Sequence, residues 1–152
     1  MYQGQTGPET VAVTDATGFM GRVLCRHLQD IGIRVRAAAR HPTEGPWSEF
    51  IPLDLPDSIP AGLSTGVRIV YHLAGLAHAM GVEGDARLYD AVNGRGTGEV
   101  ARRAKSAGVQ RFVFMSSAKA VENLEKASSA STRRARRPTR MARASTTARS
   151  PS

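Results

Sequence analysis

Cysteine, aromatic residues and long apolar runs are all scarce in this sequence, and each scarcity removes a class of protein. The single cysteine, Cys25, has no partner in the chain, so no internal disulfide carries the fold. No His/Cys cluster has ligand spacing, so no metal is expected. No apolar run approaches the ~20 residues that span a bilayer. The segment Met1 to Glu9 is polar and lacks the basic-then-apolar order of a secretory signal. The plain expectation is a cytoplasmic protein without a membrane partner. Acid is missing from the end of the chain. All 13 acidic residues and 14 of the 21 basic ones lie within 1–130, and the last seven basic residues, all Arg, lie within 131–152. The net charge of +8 therefore belongs to a tail on a nearly neutral body. That tail has no hydrophobic periodicity with which to bury apolar surface, so 123–152 is expected to be disordered and Ser/Arg-rich. It contains no aromatic residue on which a base would stack, which disfavours nucleic acid as a partner.

What is present reads as one domain. Residues 1–9 are expected to be flexible, and 10–122 alternate between strand and helix patterns. Thr10 to Val13, Ile33 to Ala39, Arg68 to Leu73 and Arg111 to Met115 are short, largely apolar runs of strand type. Phe50 to Leu53 is a weaker strand, because proline limits its pairing. Between the first two strands, Phe19, Met20, Val23, Leu24, His27, Leu28 and Ile31 recur at three- and four-residue spacing, which predicts a helix with Gly32 as its C-terminal cap. A second, long helix is expected over Asp85 to Ala107, broken or weakened by Gly94, Gly96 and Gly98. This alternation implies right-handed crossovers, a parallel sheet and an α/β Rossmann-like three-layer fold of order 3-2-1-4-5, incomplete at its C-terminal side.

The loop after the first strand carries the chemistry. Thr14-Asp15-Ala16-Thr17-Gly18-Phe19-Met20-Gly21 lies between strand and helix. Gly18 would let a pyrophosphate approach the backbone, Gly21 would let the helix pack close to the sheet, and the helix start offers unpaired N–H groups. The second strand ends in Arg40, where a carboxylate would hold ribose hydroxyls. A guanidinium suits a 2′-phosphate, which favours NADP over NAD, although Arg40 also reads as a solvated strand end. His41 reads as a surface residue.

The sequence resembles the extended short-chain dehydrogenase/reductase superfamily, in particular its NAD(P)-dependent epimerase/dehydratase family and the UDP-glucose 4-epimerase-like branch. The glycine loop matches the family opening T-G-A-T-G-F-I-G, and four later motifs follow in order between about Thr10 and Glu122. Asp54 and Leu55 match the segment that contacts adenine. His72-Leu73-Ala74-Gly75 matches the segment that lines the cofactor. Asn93 with Gly96 and Thr97 matches the Asn-x-x-Gly-Thr helix, and Arg111 to Ser117 matches the strand that leads to the active-site serine. The resemblance implies Ser117 at the catalytic serine position. It also implies cofactor contacts at Thr14, Gly18, Phe19, Met20, Gly21, Arg40, Asp54, Leu55, Leu73, Ala74, Gly75, Asn93 and Ser116. Taken singly, His72 reads as a packed strand histidine, Asn93 as a helix-surface amide and Asp54 as a turn former. The implied partners are a nucleotide-sugar or related small molecule in the intact relative, with a homodimer allowed for.

Two departures qualify that expectation. Asp15 stands where the family has its first glycine, which predicts a strained backbone and a carboxylate beside the diphosphate, hence weakened cofactor binding. The family's Tyr-x-x-x-Lys pair is also missing, since Tyr2, Tyr71 and Tyr89 all precede Ser117. Hydride transfer would then lack its proton partner. The stretch Thr139 to Thr147 is compatible, one base out of frame, with codons for Asp-Pro-Tyr-Gly-Pro-Ser-Lys-Tyr-Asp, which contains that pair. A frameshift near Ala130 is the preferred account of the tail. The functions expected are an epimerase-, dehydratase- or reductase-type fragment inactive alone, a non-catalytic dinucleotide-binding module, and, least, an Arg-tail nucleic-acid binder whose affinity would fall steeply with salt. An uncovered sheet edge predicts poor solubility or association.

Overall fold

The computed structural model describes residues 9–76 and 83–116. The chain divides into two compact units, Met1–Met115 and Ser116–Ser152, and the account below concerns the first. Its strands are β1 (Thr10–Thr14), β2 (Arg34–Ala39), β3 (Glu49–Pro52), β4 (Ile69–His72) and β5 (Arg111–Phe114). All pair in parallel, in the order β3-β2-β1-β4-β5 that the crossover rule predicts. Pro52 closes the edge strand β3, where its missing N–H faces no neighbour, and pairing resumes at once with Leu53 donating to the Ala39 carbonyl.

Because successive side chains of a strand point to opposite faces, the sheet has two cores. Val11, Val13, Val35 and Ala37 pack with Cys25 and Leu28 of helix α1 (Phe19–Asp30). On the other face Ala12, Ala38 and Val70 pack with Val100 and Ala104 of helix α3 (Thr97–Ser106), and with Leu63 of a short 3₁₀ turn, Ala61–Leu63. The Arg36 side chain ties that turn to β2, donating to the carbonyls of Gly62 (2.6 Å) and Thr65 (2.7 Å) and to Glu49 (2.8 Å). Burial of Cys25 pushes its thiol up to about 11, which leaves it a core residue without thiolate chemistry at neutral pH.

Glycines set two features of the helices. Helix α1 has the predicted length and ends with Gly32 in the left-handed region (φ +83°), its N–H bonded to the Gln29 carbonyl. Its inward face, however, is Gly21, Cys25 and Leu28, with Leu24 half-buried, whereas Phe19 is 84% exposed and Met20, Val23 and Ile31 are all more than half exposed. The reason lies in the turn before it. A Cβ on Gly21 would lie 2.1 Å from the Asp15 carbonyl oxygen, so the tight loop presses that glycine against the sheet and fixes the rotation of the helix.

The second feature is the long helix, whose regular α turns give way over a stretch that contains Gly94 and Gly96 while the chain stays helical. Helix α2 (Glu83–Tyr89) runs through a π-helical stretch, Asp90–Gly96, into α3. A side chain on Gly96 would crowd Ala91 and Leu55, so the glycine permits close packing here instead of breaking the helix. Wider turns of this kind are frequent at functional sites.

Among the described residues β5 pairs only with β4, and Val113 (38%), Phe114 (50%) and Met115 (51%) are exposed. An apolar parallel edge of this sort templates pairing with another chain. The 152-residue chain is expected to elute from sizing chromatography as concentration-dependent oligomers; a single monomeric peak over a wide concentration range would contradict this.

Candidate functional site

The C-terminal ends of β1, β2 and β4 open into a cleft of about 500 Å³. Chain order reverses between β1 and β4, which sit side by side, and open parallel sheets bind ligands at such a reversal. The cleft is lined from the β1 side by Asp15 and Thr17, from β2 by Ala39 and Arg40, and after β3 by Leu53, Asp54 and Leu55. Ala74, Gly75 and Leu76 form the wall after β4, and Leu88 and Val92 close it from the helical side.

At the loop itself, Gly18 is the N-cap of α1 and accepts the N–H of Arg22 through its carbonyl. Asp15 adopts φ +53°, the left-handed conformation that the missing glycine would have taken freely. Its carboxylate folds onto Gly18, where an added Cβ would lie 2.6 Å from Oδ2. Partial burial holds the Asp15 pKa above its usual range, and the Arg40 guanidinium pulls it the other way. The one carboxylate of the loop thus lies over the helix start, where a diphosphate would otherwise meet backbone N–H groups.

The opposite wall is set by polar side chains behind it. Asn93 bonds both backbone groups of Leu76, with Leu76 N–H donating to Oδ1 (2.8 Å) and Nδ2 donating to the carbonyl (2.9 Å). Gly75 leaves room for this contact, since a Cβ there would fall 2.9 Å from the Asn93 oxygen and displace it. Thr14 Oγ1 accepts N–H groups from Leu73 (3.1 Å) and Ala74 (3.0 Å) and lies 3.0 Å from His72 Nδ1. His72 Nε2 reaches Thr97 Oγ1 at 3.0 Å. The imidazole is fully buried, with the rings of Phe112 and Phe114 at 5.6 and 6.0 Å, and burial lowers its pKa to about 4.

Of the sequence-derived positions, Arg40, Asp54, Leu55, Ala74 and Gly75 come together on the cleft. Thr14, Leu73 and Asn93 stand behind its walls as supports. Gly21 is buried beneath the loop, and the side chains of Phe19 and Met20 face solvent. Ser116 is exposed, and Ser117 lies outside the described residues. His41, read from sequence as a surface residue, is exposed and also lines the cleft, as do Thr43, Pro56 and Asp57. Their only signal was position, just past the ends of β2 and β3.

Comparison with known proteins decides what this cleft belongs to. The profile of the NAD dependent epimerase/dehydratase family matches residues 11–143. The chain belongs to that family. The match passes the end of the sequence motifs at Glu122 and continues into the Arg-rich segment. Ceramide reductase of Caulobacter vibrioides is 37% identical over 119 residues, covering 74% of this chain and 36% of the relative. A short-chain dehydrogenase/reductase superfamily protein of Agrobacterium tumefaciens, solved with bound NAD, superposes with a TM-score of 0.63 at 32% identity, covering 72% of this chain and 33% of that one. MoeE5, solved with UDP-glucuronic acid and NAD, gives 0.64 at 30% identity, covering 73% and 37%. The chain therefore spans about a third of the length of these relatives. Within the family the parallel sheet of order 3-2-1-4-5 is the shared part, and among the described residues no helix is long and apolar enough to cross a membrane.

Proposed function

We propose that this member of the epimerase/dehydratase family binds a nicotinamide dinucleotide in the β1/β4 cleft. The single observation that carries the reading is the glycine turn opening α1 at the point where the strand order reverses. The residues fit the group: Gly18 adds no side chain at the helix start, where the movable Asp15 carboxylate is what covers the backbone, Asp54 and Leu55 line the side expected to take adenine, and Arg40 offers a cation. The relatives solved with NAD support this assignment. Arg40 favours the 2′-phosphorylated form, because a guanidinium pairs with phosphate in a bidentate fork.

A nicotinamide held there would supply hydride chemistry. This chain's own residues seat and orient it, with Thr14 and Asn93 holding the Leu73–Leu76 wall and Ser117 proposed to orient the reacting oxygen. A nucleotide-sugar is the substrate class we assign to the longer relatives' chemistry, supported by the UDP-glucuronic acid complex; the ceramide reductase match favours a lipid carbonyl as the second reading. No tyrosine follows Ser117, so the 152-residue chain is expected to bind dinucleotide without turning substrate over.

Asp15 weakens that binding by like charge. Asp15→Gly removes the charge and relieves a left-handed residue of about 1 kcal/mol, and is expected to tighten NADPH binding by about tenfold in a fluorescence titration. As pH falls, protonation of Asp15 removes its charge, so wild-type affinity should rise toward that of the variant. Equal affinities at neutral pH would defeat the assignment, and a wild-type preference for NADH over NADPH would remove Arg40 from it.

A further inference from the structure

The wall of the cleft after β4 is held by the buried Thr14 and His72 and the half-buried Thr97, and the direction of each hydrogen bond follows from counting lone pairs. Thr14 Oγ1 accepts two backbone N–H groups, from Leu73 at 3.1 Å and Ala74 at 3.0 Å. A hydroxyl has two acceptor sites and one proton. With both sites filled, its proton is directed at His72 Nδ1, 3.0 Å away. Nδ1 is then an acceptor, the neutral ring carries its proton on Nε2, and Nε2–H donates to Thr97 Oγ1 at 3.0 Å. Among the described residues, the ring's hydrogen-bond and aromatic partners are Thr14 from β1, Phe112 and Phe114 from β5 and Thr97 from α3, none of them charged.

The chain therefore runs from α3, through β4, to the end of β1, and terminates on the backbone of the cleft wall. The geometry points to Thr97 and His72 as positioning residues for ligand binding: Thr97 accepts the Nε2 proton and so supports the tautomer that the filled Thr14 hydroxyl requires, the imidazole Nδ1 accepts the Thr14 proton, and that hydroxyl locks the Leu73–Ala74 backbone in one conformation. The identity of the ligand rests on the dinucleotide reading above, whereas the lock does not. A ring with its proton on Nδ1 would present a donor to a hydroxyl whose acceptor sites are already filled. Thr14 could then keep His72 only by releasing Leu73 or Ala74.

The test uses the full 152-residue chain. In wild type, long-range ¹H–¹⁵N spectra at pH 7 should show His72 as the Nε2–H tautomer. Thr97→Val keeps the shape but leaves Nε2–H without an acceptor. It should give mixed tautomers, amide exchange at Leu73 and Ala74 faster by about fivefold, and NADPH affinity weaker by a similar factor. Thr97→Ser should restore all three to within about twofold. An Nδ1–H tautomer in wild type overturns the proposal, and this measurement needs no variant to fold. So does a Thr97→Val protein with unchanged exchange and affinity, or one in which exchange rises equally at every core amide. If wild type binds neither NADH nor NADPH while tautomer and exchange respond as stated, the ligand assignment fails and the lock stands.

Discussion

Gly21→Ala is expected to destabilise the domain by about 3 kcal/mol or more, the upper range for forcing a group into packed surroundings. The added Cβ would meet the Asp15 carbonyl oxygen at 2.1 Å and the Ala16 Cα at 2.7 Å. Both are backbone atoms just past β1, whose Val11 to Thr14 are fully buried, so neither can move without carrying the central strand with it. Gly18→Ala provides the contrast. Its new Cβ meets the Asp15 carboxylate at 2.6 Å, but a side-chain end can swing aside, and the cost should stay near or below about 1 kcal/mol. Urea midpoints of the two variants measure the difference. A Gly21→Ala midpoint equal to wild type would mean that the turn is not packed as described, and the rotation of α1 would lose its explanation.

The second large effect is acid sensitivity through His72. Its folded pKa of about 4 lies below the ordinary value of 6.5 because the buried ring has no water to solvate a charge. Between those values the unfolded chain binds the proton and the folded chain does not, so stability is full above pH 6.5 and declines as pH falls toward 4. The difference corresponds to a loss on the order of 3 kcal/mol. Urea unfolding from pH 7.5 to 4.5, with His72 followed by NMR, checks both parts. A His72 resonance that titrates near 6.5 in the folded protein would show that the ring is not buried as described.

These two predictions rest on features with different standing in the sequence. The turn containing Gly21 was legible, since a glycine three residues after another, between a strand and a helix, has few other uses. Asp15 was equally legible as a misfit, and it takes the left-handed conformation expected of that position. His72 was readable as a packed strand histidine at the head of a family motif, with no sign of its partners. Nothing local marks Thr97 as its partner, because the pair is 25 residues apart and Thr14 lies 58 residues away. Asn93 stood out through its family motif, yet its bonds to the Leu76 backbone could not be read from spacing.

By itself the sequence determined the alternation of strands and helices, the parallel order of the sheet, the place of the glycine turn and the family. Each follows from local periodicity, from turn chemistry or from the handedness of crossovers, all of which act within one short segment or one βαβ unit. The tertiary structure alone decided which face of α1 points inward, where the Asp15 carboxylate lies, and which side chains stand behind the cleft wall. Those outcomes depend on steric and hydrogen-bond contacts between segments distant in the chain. The three- and four-residue spacing in α1 gave its period correctly, but only the contact of Gly21 with the strand it follows set the phase.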